Sequence, residues 1–384
     1  MSDSIRRGLR GLALVFGLGL GSLQASAQDQ FSWRWSGDIK NLLLQSKTAA
    51  GERYVLDRNR LRLALKGSVG EVATVDLQYD NEVLFGDTAG LAEVRQQLDL
   101  TPLPYWSLQA NTIDRPSLLG RHGLYRASIN FSFGQTDIRV GRQRITWGTG
   151  RFWSPLDLLN PVTPIALDRS ERPGVDAVLI ERRTGPLSSA AAVYAPDHDG
   201  RNATRALRWH ASAGRADYSV VAGRFRRDDV LGLDLAARVG QAVLRTEWTR
   251  VRAQSATTFD RALIGLDHAF ANTLTLSVEL YRDGSGATDR ARYDFAALAS
   301  GRRQTLARRY LGLHASYDLA PLVKLTGDMV VNLVDRSRYI APVVTWSVRP
   351  DIDWSFGVQH FGGSAGSELQ RFRTTAHTQL QWFF

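Results

Sequence analysis

Residues 58–66 read RNRLRLALK. Successive side chains of a β-strand point to opposite faces. This segment therefore places Arg58, Arg60, Arg62, Ala64 and Lys66 on one face, and Asn59, Leu61, Leu63 and Leu65 on the other. The same alternation continues from Trp33 to the C-terminus, in runs of about ten residues separated by turn residues. The pattern predicts antiparallel strands with one polar, arginine-rich face and one apolar face.

The connections between these runs fall into two classes. Eight are short, at Gly70, Gly134-Gln135, Gly185-Pro186, Gly214-Arg215, Gly240, Ala271-Asn272, Ala320-Pro321 and Pro350-Asp351. Nine are longer and more polar, near residues 47–52, 86–121, 148–172, 197–203, 227–230, 254–258, 284–305, 335–337 and 363–368. Short turns at one end and long loops at the other are typical of bacterial outer-membrane barrels. The sequence therefore predicts an all-β fold, a transmembrane antiparallel β-barrel of about 18 strands, with 16 strands and a soluble all-β fold as alternatives.

The N-terminus has the features of a signal peptide. Arg6, Arg7 and Arg10 precede the apolar segment 12–23, and Ala25-Ser26-Ala27 forms a small-residue cleavage site. We therefore expect residues 1–27 to be removed and residues 28–384 to form a single barrel domain. The chain contains no cysteine, so disulfides do not stabilise this exported protein. No later apolar run reaches the length of a spanning helix, so we expect any membrane crossing to be made by strands.

The charge pattern argues against nucleic-acid binding. The formal charge is +10, and 44 of the 48 basic residues are arginines, since lysine occurs only four times. These arginines are spread along the chain, whereas nucleic-acid-binding proteins concentrate charge in patches or tails. The seven histidines show no metal-ligand spacing, and neither H-E-x-x-H nor G-x-S-x-G occurs. We predict no enzymatic activity, no metal and no cofactor, although a catalytic cluster assembled only in space remains an alternative.

The last nine residues resemble the terminal signal by which the barrel-assembly machinery recognises outer-membrane proteins. Leu380, Trp382 and Phe384 share one face of an amphipathic strand, and the chain ends on an aromatic residue. The resemblance implies a Gram-negative outer-membrane location, in contact with lipid. A closed barrel also requires the last strand to pair with the first, because an open edge in hydrocarbon leaves backbone groups unsatisfied. We expect Trp33 and Trp35 to join Trp382 and Phe383 in the periplasmic aromatic girdle.

The segment from Gly141 to Asp176 interrupts the alternation. Its Gly148-Thr149-Gly150 is not followed by the Gly-Lys-Ser/Thr of a phosphate-binding loop, and four prolines within about twenty residues exclude a regular element. The pattern G-R-Q-x-x-x-W-G-x-G followed by P-x-D-x-x-N-P resembles a proteobacterial family of porin-like outer-membrane proteins. The resemblance implies that loop 148–172 folds into the barrel, where these side chains would face or support a constriction: Arg142, Arg144, Arg151, Asp157, Asp168, Arg169, Arg172 and Asp176. The alternative is that its Pro, Asn and Asp residues only stabilise turns.

An arginine-rich lumen has a direct consequence for function. Fixed guanidinium groups raise the local concentration of anions in a water-filled pore. Candidate lumen arginines on the strands are Arg58, Arg60, Arg62, Arg139, Arg224, Arg226 and Arg245, although any of them could instead pair with neighbouring acids. The sequence predicts a porin-like channel for passive diffusion of small polar, anionic solutes. The alternative is a non-conducting barrel with a structural, assembly or adhesion role, and the solute and the oligomeric state stay open.

Overall fold

A computed structural model describes residues 31–48, 50–87, 89, 105–160, 164–167, 174–254, 257–299 and 303–384. The predicted signal peptide and cleavage site lie outside these ranges. The strands are β1 (Phe31–Lys47), β2 (Arg53–Val69), β3 (Ala73–Phe85), β4 (Gln109–Arg115), β5 (Leu118–Phe133), β6 (Thr136–Gln143), β7 (Val175–Gly185), β8 (Ser188–Ala195), β9 (Thr204–Ala213), β10 (Ala216–Phe225), β11 (Asp228–Val239), β12 (Ala242–Arg252), β13 (Thr258–Ala269), β14 (Thr275–Asp283), β15 (Arg309–Ala320), β16 (Val323–Asn332), β17 (Arg338–Arg349), β18 (Ile352–Gly362) and β19 (Thr375–Phe383). The helices are α1 (Phe295–Ala299) and two 3-10 turns, Arg290–Arg292 and Leu369–Arg371. Within the described ranges, no helix has the length and hydropathy needed to cross a membrane.

The strands form one closed antiparallel barrel. Every strand pairs with its sequence neighbours except around β4, because β3 pairs directly with β5. The ring closes where β1 pairs with β19, from Asp38 opposite Phe383 to Gln45 opposite Ala376. Leaving β4 aside, eighteen of the nineteen strands form the ring, which confirms the predicted all-β barrel of about eighteen strands.

All eight predicted short turns are found at one end of the barrel. Four of them hold a glycine in the left-handed region, at Gly70, Gly134, Gly214 and Gly240. A residue with a side chain is strained in this conformation, which explains why glycine marks these turns in the sequence.

Two predicted loops differ from the structure. The segment 86–121 contains β4 and the start of β5, and β4 pairs with the loop-side half of β5 while β6 pairs with the other half. Thus β4 and β6 share one side of β5. The connection predicted near 227–230 is only two residues long, because β11 begins at Asp228 and Arg226 makes the turn with a φ of 55°.

The two faces of the barrel wall are separated by side-chain alternation. On β14, Leu280 is 49% exposed, whereas its neighbours Glu279 and Tyr281 are 0% and 8% exposed. The exposed side chains of the outer face are mostly apolar, as a lipid-facing surface requires. The buried aromatic and aliphatic clusters lie on the inner face, where they pack against the segment that follows β6.

Candidate pore constriction

The segment that follows β6 lies inside the barrel. Trp147 packs edge-on against Phe225 of β10, with ring centroids 6.3 Å apart, and Trp153 stacks on Tyr281 of β14 at 5.3 Å. Both partners lie on the inner face of the wall. Further along, the carbonyl of Ile165 accepts a hydrogen bond from Gln359 of β18. The described part of this inner loop (144–160 and 164–167) therefore packs along the inner face of the wall, with contacts to β10, β14 and β18.

A buried carboxylate from the wall holds the first turn of the inner loop. Glu247 of β12 accepts hydrogen bonds from the backbone N–H groups of Thr149, Gly150 at 2.6 Å and Leu156 at 3.1 Å, and from the hydroxyl of Ser154 at 2.8 Å. A charge can stay buried when it is this fully hydrogen-bonded. The backbone of this glycine-containing turn therefore binds an anion, and that anion is the carboxylate of Glu247.

The second anchor is Glu279 on β14. It accepts from the N–H groups of Arg151 and Phe152, at 2.6 and 2.9 Å, and from the guanidinium of Arg245 at 2.8 Å. Arg245 also pairs with Asp267 and donates to the carbonyl of Thr149. Three charged side chains of the wall, Glu247, Glu279 and Arg245, thus fix this part of the loop through its backbone. The sequence analysis missed Glu247 and Glu279, since an acid on an inward position gives no local sign of its distant partner.

Gly148 has to be glycine for this packing. Its φ is 104°, and a Cβ placed there would lie 2.3 Å from the hydroxyl oxygen of Ser154 and 2.9 Å from the carboxylate of Glu247. The glycine of the W-G-x-G pattern therefore lets the backbone approach the anchoring carboxylate.

Asp157 and Asn160 stabilise the inner loop internally. The carboxylate of Asp157 accepts from the N–H of Asn160 at 3.3 Å, and the amide oxygen of Asn160 accepts from the N–H of Ile145 at 3.1 Å. Both side chains are only 4% exposed. Their contacts therefore stabilise the loop from within, and neither side chain is exposed.

Arg142 and Asp176 close the wall where the inner loop departs. Their side chains form a buried pair at 2.9 Å, and Arg142 also donates to the carbonyls of Leu124 and Trp106. The carboxylate of Asp176 accepts from the N–H of Trp106 in return. These bonds join β5, β6, β7 and the segment before β4. The pair is therefore buried in the wall, where it holds these strands together, and it is not exposed to the lumen.

Gly141, the first residue of the G-R-Q pattern, makes this junction possible. Its φ is 115°, and a Cβ would lie 2.2 Å from the carbonyl oxygen of Ala127 on β5. The side chain of Gln143 then donates to the carbonyls of Arg139 and Ala177. The G-R-Q pattern thus marks the point where the chain leaves the wall.

One wall of the lumen is basic. The inner faces of β1, β2, β3, β5 and β6 carry nine basic and five acidic side chains, namely Arg34, Lys40, Arg58, Arg60, Arg62, Lys66, Arg121, Arg126 and Arg139 against Asp38, Asp76, Asp80, Glu82 and Asp137. We call this surface the basic wall. Its acids are largely paired: Arg60 contacts Asp38 at 2.6 Å, Arg62 contacts Asp80 at 2.5 Å, and Arg58 and Arg121 share Glu82. An excess of positive charge remains.

The opposite wall is acidic. The inner faces of β12, β13 and β14 carry four acids and two arginines, namely Glu247, Asp267, Glu279 and Asp283 against Arg245 and Arg261. We call this surface the acidic wall. Its two most buried acids, Glu247 and Glu279, are the ones that lie under the inner loop.

The inner loop presents two arginines to the lumen. Arg144 and Arg151 are exposed. Arg144 lies close enough to Arg126 of the basic wall to interact with it electrostatically, and Arg151 interacts with Asp267 of the acidic wall. The structure therefore brings Arg58, Arg60, Arg62, Arg139, Arg144 and Arg151 to the lumen side.

Arg224 and Arg226 do not line the lumen, which corrects the sequence-based expectation. On β10, Val221 and Phe225 are buried on the inner face, so Arg224 shares the outer face with the exposed Val220. There it pairs with Asp229 at 2.7 Å. Close to the loop end of a strand, an outward arginine reaches water above the lipid, so a polar residue does not by itself indicate the inner face. Asp168, Arg169 and Arg172 lie outside the described residues.

The C-terminal residues lie at the barrel seam. Leu380, Trp382 and Phe384 are 45%, 44% and 50% exposed on the outer face, and Phe384 exchanges two backbone hydrogen bonds with Gly37 of β1. Trp382 also donates to the carboxylate of Asp351 in the adjacent short turn. Recognition by the assembly machinery remains a prediction.

A buried carboxylate joins the external loops at the barrel mouth. Glu368, at the start of the last 3-10 turn, accepts from the N–H of Leu306 at 2.9 Å, the hydroxyl of Tyr310 at 2.6 Å and the amide of Asn332 at 2.7 Å. Burial raises the pKa of Glu368 to about 7, against the opposing effect of these hydrogen bonds. We call Glu368, Leu306, Tyr310 and Asn332 the mouth cluster, and its carboxyl group changes charge near neutral pH.

The fold is that of Gram-negative outer-membrane porins. OccAB4 of Acinetobacter baumannii superposes with a TM-score of 0.59 at 9% sequence identity, over 94% of this chain and 100% of OccAB4. OpdK of Pseudomonas aeruginosa, solved with vanillate, gives 0.58 at 9% identity over 94% and 100%. A BenF-like porin from Pseudomonas fluorescens gives 0.57 at 10% identity over 94% and 100%. No protein-family model and no curated protein sequence matches the chain.

Proposed function

We propose that this protein is a passive-diffusion channel for small polar anions in the outer membrane. The porin fold supports the channel, and the unequal walls of the lumen support the anion preference. Glu247 and Glu279 are covered by the inner loop, and their carboxylates accept hydrogen bonds from its backbone N–H groups. On the basic wall Arg34, Lys66 and Arg139 are exposed, and so are Arg144 and Arg151 of the inner loop. This asymmetry is the observation that carries the proposal.

The same arginines would favour the passage of anions without any chemical reaction. A carboxylate or phosphate group passing the inner loop would meet guanidinium groups on both sides, from Arg151 over the acidic wall and from Arg144 beside the basic wall. Arginine suits this task because its planar fork binds carboxylates with two parallel hydrogen bonds. One of the structural neighbours, OpdK, was solved with vanillate, which is an organic anion.

Planar-bilayer recordings under a KCl gradient test this proposal. The purified protein should give discrete openings whose reversal potential has the sign of a chloride-selective pore. A cation-selective reversal potential would contradict the role given to the basic wall. Complete absence of openings would instead favour the non-conducting barrel, in which the inner loop acts as a plug.

A further inference from the structure

The inner faces of β15–β19 form a third wall of the lumen, between the acidic wall and the basic wall. Its charged side chains are Asp328, which contacts His314 at 2.8 Å, and, beside short turns, Asp318, Lys324 and Asp353. Most of the other polar side chains at its inward positions carry hydroxyl or amide groups, namely Ser316, Thr326, Thr345, Ser347, Ser355, Gln359, Gln379 and Gln381. We call this surface the hydroxyl wall.

A row of hydroxyl and amide side chains crosses the hydroxyl wall and ends at the basic wall. The strand register places Thr345 opposite Ser355 and Ser355 opposite Gln379. Gln379 lies opposite Leu42 of β1, which in turn lies opposite Arg58 of β2. Since neighbouring strands are about 4.8 Å apart, Gln379 and Arg58 are roughly 10 Å apart along the wall. We call Thr345, Ser355 and Gln379 the polar row.

The polar row can still form hydrogen bonds with a solute. The side chains of Thr345 and Gln379 are partly exposed, and neither of them makes a hydrogen bond with another described residue. The hydroxyl of Ser355 donates only a long bond, at 3.4 Å, to the carbonyl of Gln379. A hydroxyl both donates and accepts, and a primary amide offers two donors and an acceptor. The row therefore presents uncharged donors and acceptors to the lumen.

The adjoining part of the basic wall offers the complementary positive charge. The side chain of Arg58 is 29% exposed although it pairs with Glu82, so its guanidinium is accessible from the lumen. A solute that lies across the seam between β19 and β1 would therefore contact a cation at one end and uncharged polar groups at the other. These two kinds of contact fit a molecule that combines one anionic group with several hydroxyl groups.

We propose that the channel selects polyhydroxylated organic anions, the class to which sugar acids belong. This inference rests on the proposed anion channel and adds the second feature of the solute. A solute that enters the lumen exchanges part of its hydration for contacts with the wall, and a hydroxyl group without a partner there is destabilised. A site whose polar groups bond a solute hydroxyl also discriminates against an analogue that lacks it. The carboxylate would be bound from the side of Arg58, and the hydroxyl groups by the polar row.

Two ring-shaped anions of similar size test this proposal. Galacturonate and cyclohexanecarboxylate each have a six-membered ring and one carboxylate, but only galacturonate carries hydroxyl groups. Reversal potentials with the potassium salt of one anion on each side of a planar bilayer give their permeability ratio. Because the two anions have the same charge, this ratio reports the hydroxyl groups. The unaltered protein should favour galacturonate.

Thr345→Val combined with Gln379→Leu makes the polar row largely apolar. This variant should lower the preference for galacturonate about fivefold, which corresponds to one hydrogen bond of ordinary strength. Thr378→Val is the matched control, because it removes a hydroxyl from the outer face of β19 and should leave the ratio unchanged. Heat-modifiable migration in gels reports folding, and Gln379→Leu alone is the second variant, with a smaller decrease expected.

The outcomes separate this proposal from the proposed function. A ratio that is the same in the unaltered protein and in both folded variants, or a preference of the unaltered protein for cyclohexanecarboxylate, would overturn the selection of hydroxyl groups. The anion channel itself would stand in that case if the KCl reversal potential still shows chloride selectivity. A cation-selective reversal potential in KCl would instead contradict the proposed function, and this inference with it.

Discussion

The basic and acidic walls of the lumen both contain carboxylates and arginines, but the carboxylates of the two walls have different hydrogen-bond partners. On the basic wall, carboxylates such as Asp38 and Asp80 pair with arginines of the adjacent strands, while Arg34 and Arg139 are exposed. On the acidic wall, Glu247 and Glu279 pair mainly with the backbone of the inner loop. The difference shows that the charge presented by a lumen depends on which of its charged side chains are exposed. The number of acidic and basic residues in its strands does not determine that charge.

We expect removal of the inner loop to have the largest effect on conductance and on anion selectivity. A deletion of residues 151–165 would open the lumen and uncover both glutamates of the acidic wall. We expect conductance to rise several-fold and anion selectivity to fall, with the barrel still folded because its strands pair with one another. Single-channel recording measures both quantities, and heat-modifiable migration is the control for folding. An unchanged conductance would show that the loop does not restrict the pore.

Loss of one anchor should loosen the loop without removing it. Glu279→Ala leaves the N–H groups of Arg151 and Phe152 without their acceptor and deprives Arg245 of one of its two carboxylates. Breaking a buried ion pair of this kind typically costs about 3–5 kcal/mol. We expect a lower midpoint in denaturant unfolding and noisier channel openings. Asp260→Ala is the matched control, because it removes an exposed partner of Arg250 and should change neither property.

Charge reversal on the loop tests the arginines that face the lumen. Arg144→Glu together with Arg151→Glu replaces two positive charges at the constriction with negative ones, so the reversal potential in a KCl gradient should move toward that of a cation-selective pore. Arg224→Glu reverses one positive charge on the outer face and should leave the reversal potential unaltered. If Arg224→Glu shifts selectivity as strongly, the assignment of faces on β10 is wrong.

The smallest expected effect concerns the mouth cluster. Because the pKa of Glu368 is raised to about 7 in the folded protein, the folded state holds a proton that an unfolded glutamate releases near pH 4.5. Stability of the external loops should therefore decrease as pH rises between these values, by at most about 3 kcal/mol. Protease cleavage within 303–308 and 364–371 should be faster at about pH 8.5 than at about pH 5, relative to Glu368→Gln at each pH. Equal ratios at both pH values would contradict this role for Glu368.

The strand order was accessible from the sequence because it depends on local signals. Alternation along segments such as 58–66 and glycine at turns such as Gly134 were enough to predict eighteen strands and their eight short turns. The inner loop was also visible, since its prolines and glycines cannot form a strand. Orientation failed at Arg224, because an arginine near the end of a strand can reach water from either face.

The sequence by itself thus determined the barrel, its closure through the last strand and the existence of an irregular segment after β6. Only the tertiary structure decided what that segment touches. Its anchors Glu247 and Glu279 follow it by about a hundred residues, on strands whose own patterns do not distinguish them from other inward acids. The physical reason is that alternation and turn formation depend on neighbours along the chain. The covering of one wall and the exposure of the other depend on where closure of the barrel brings distant strands.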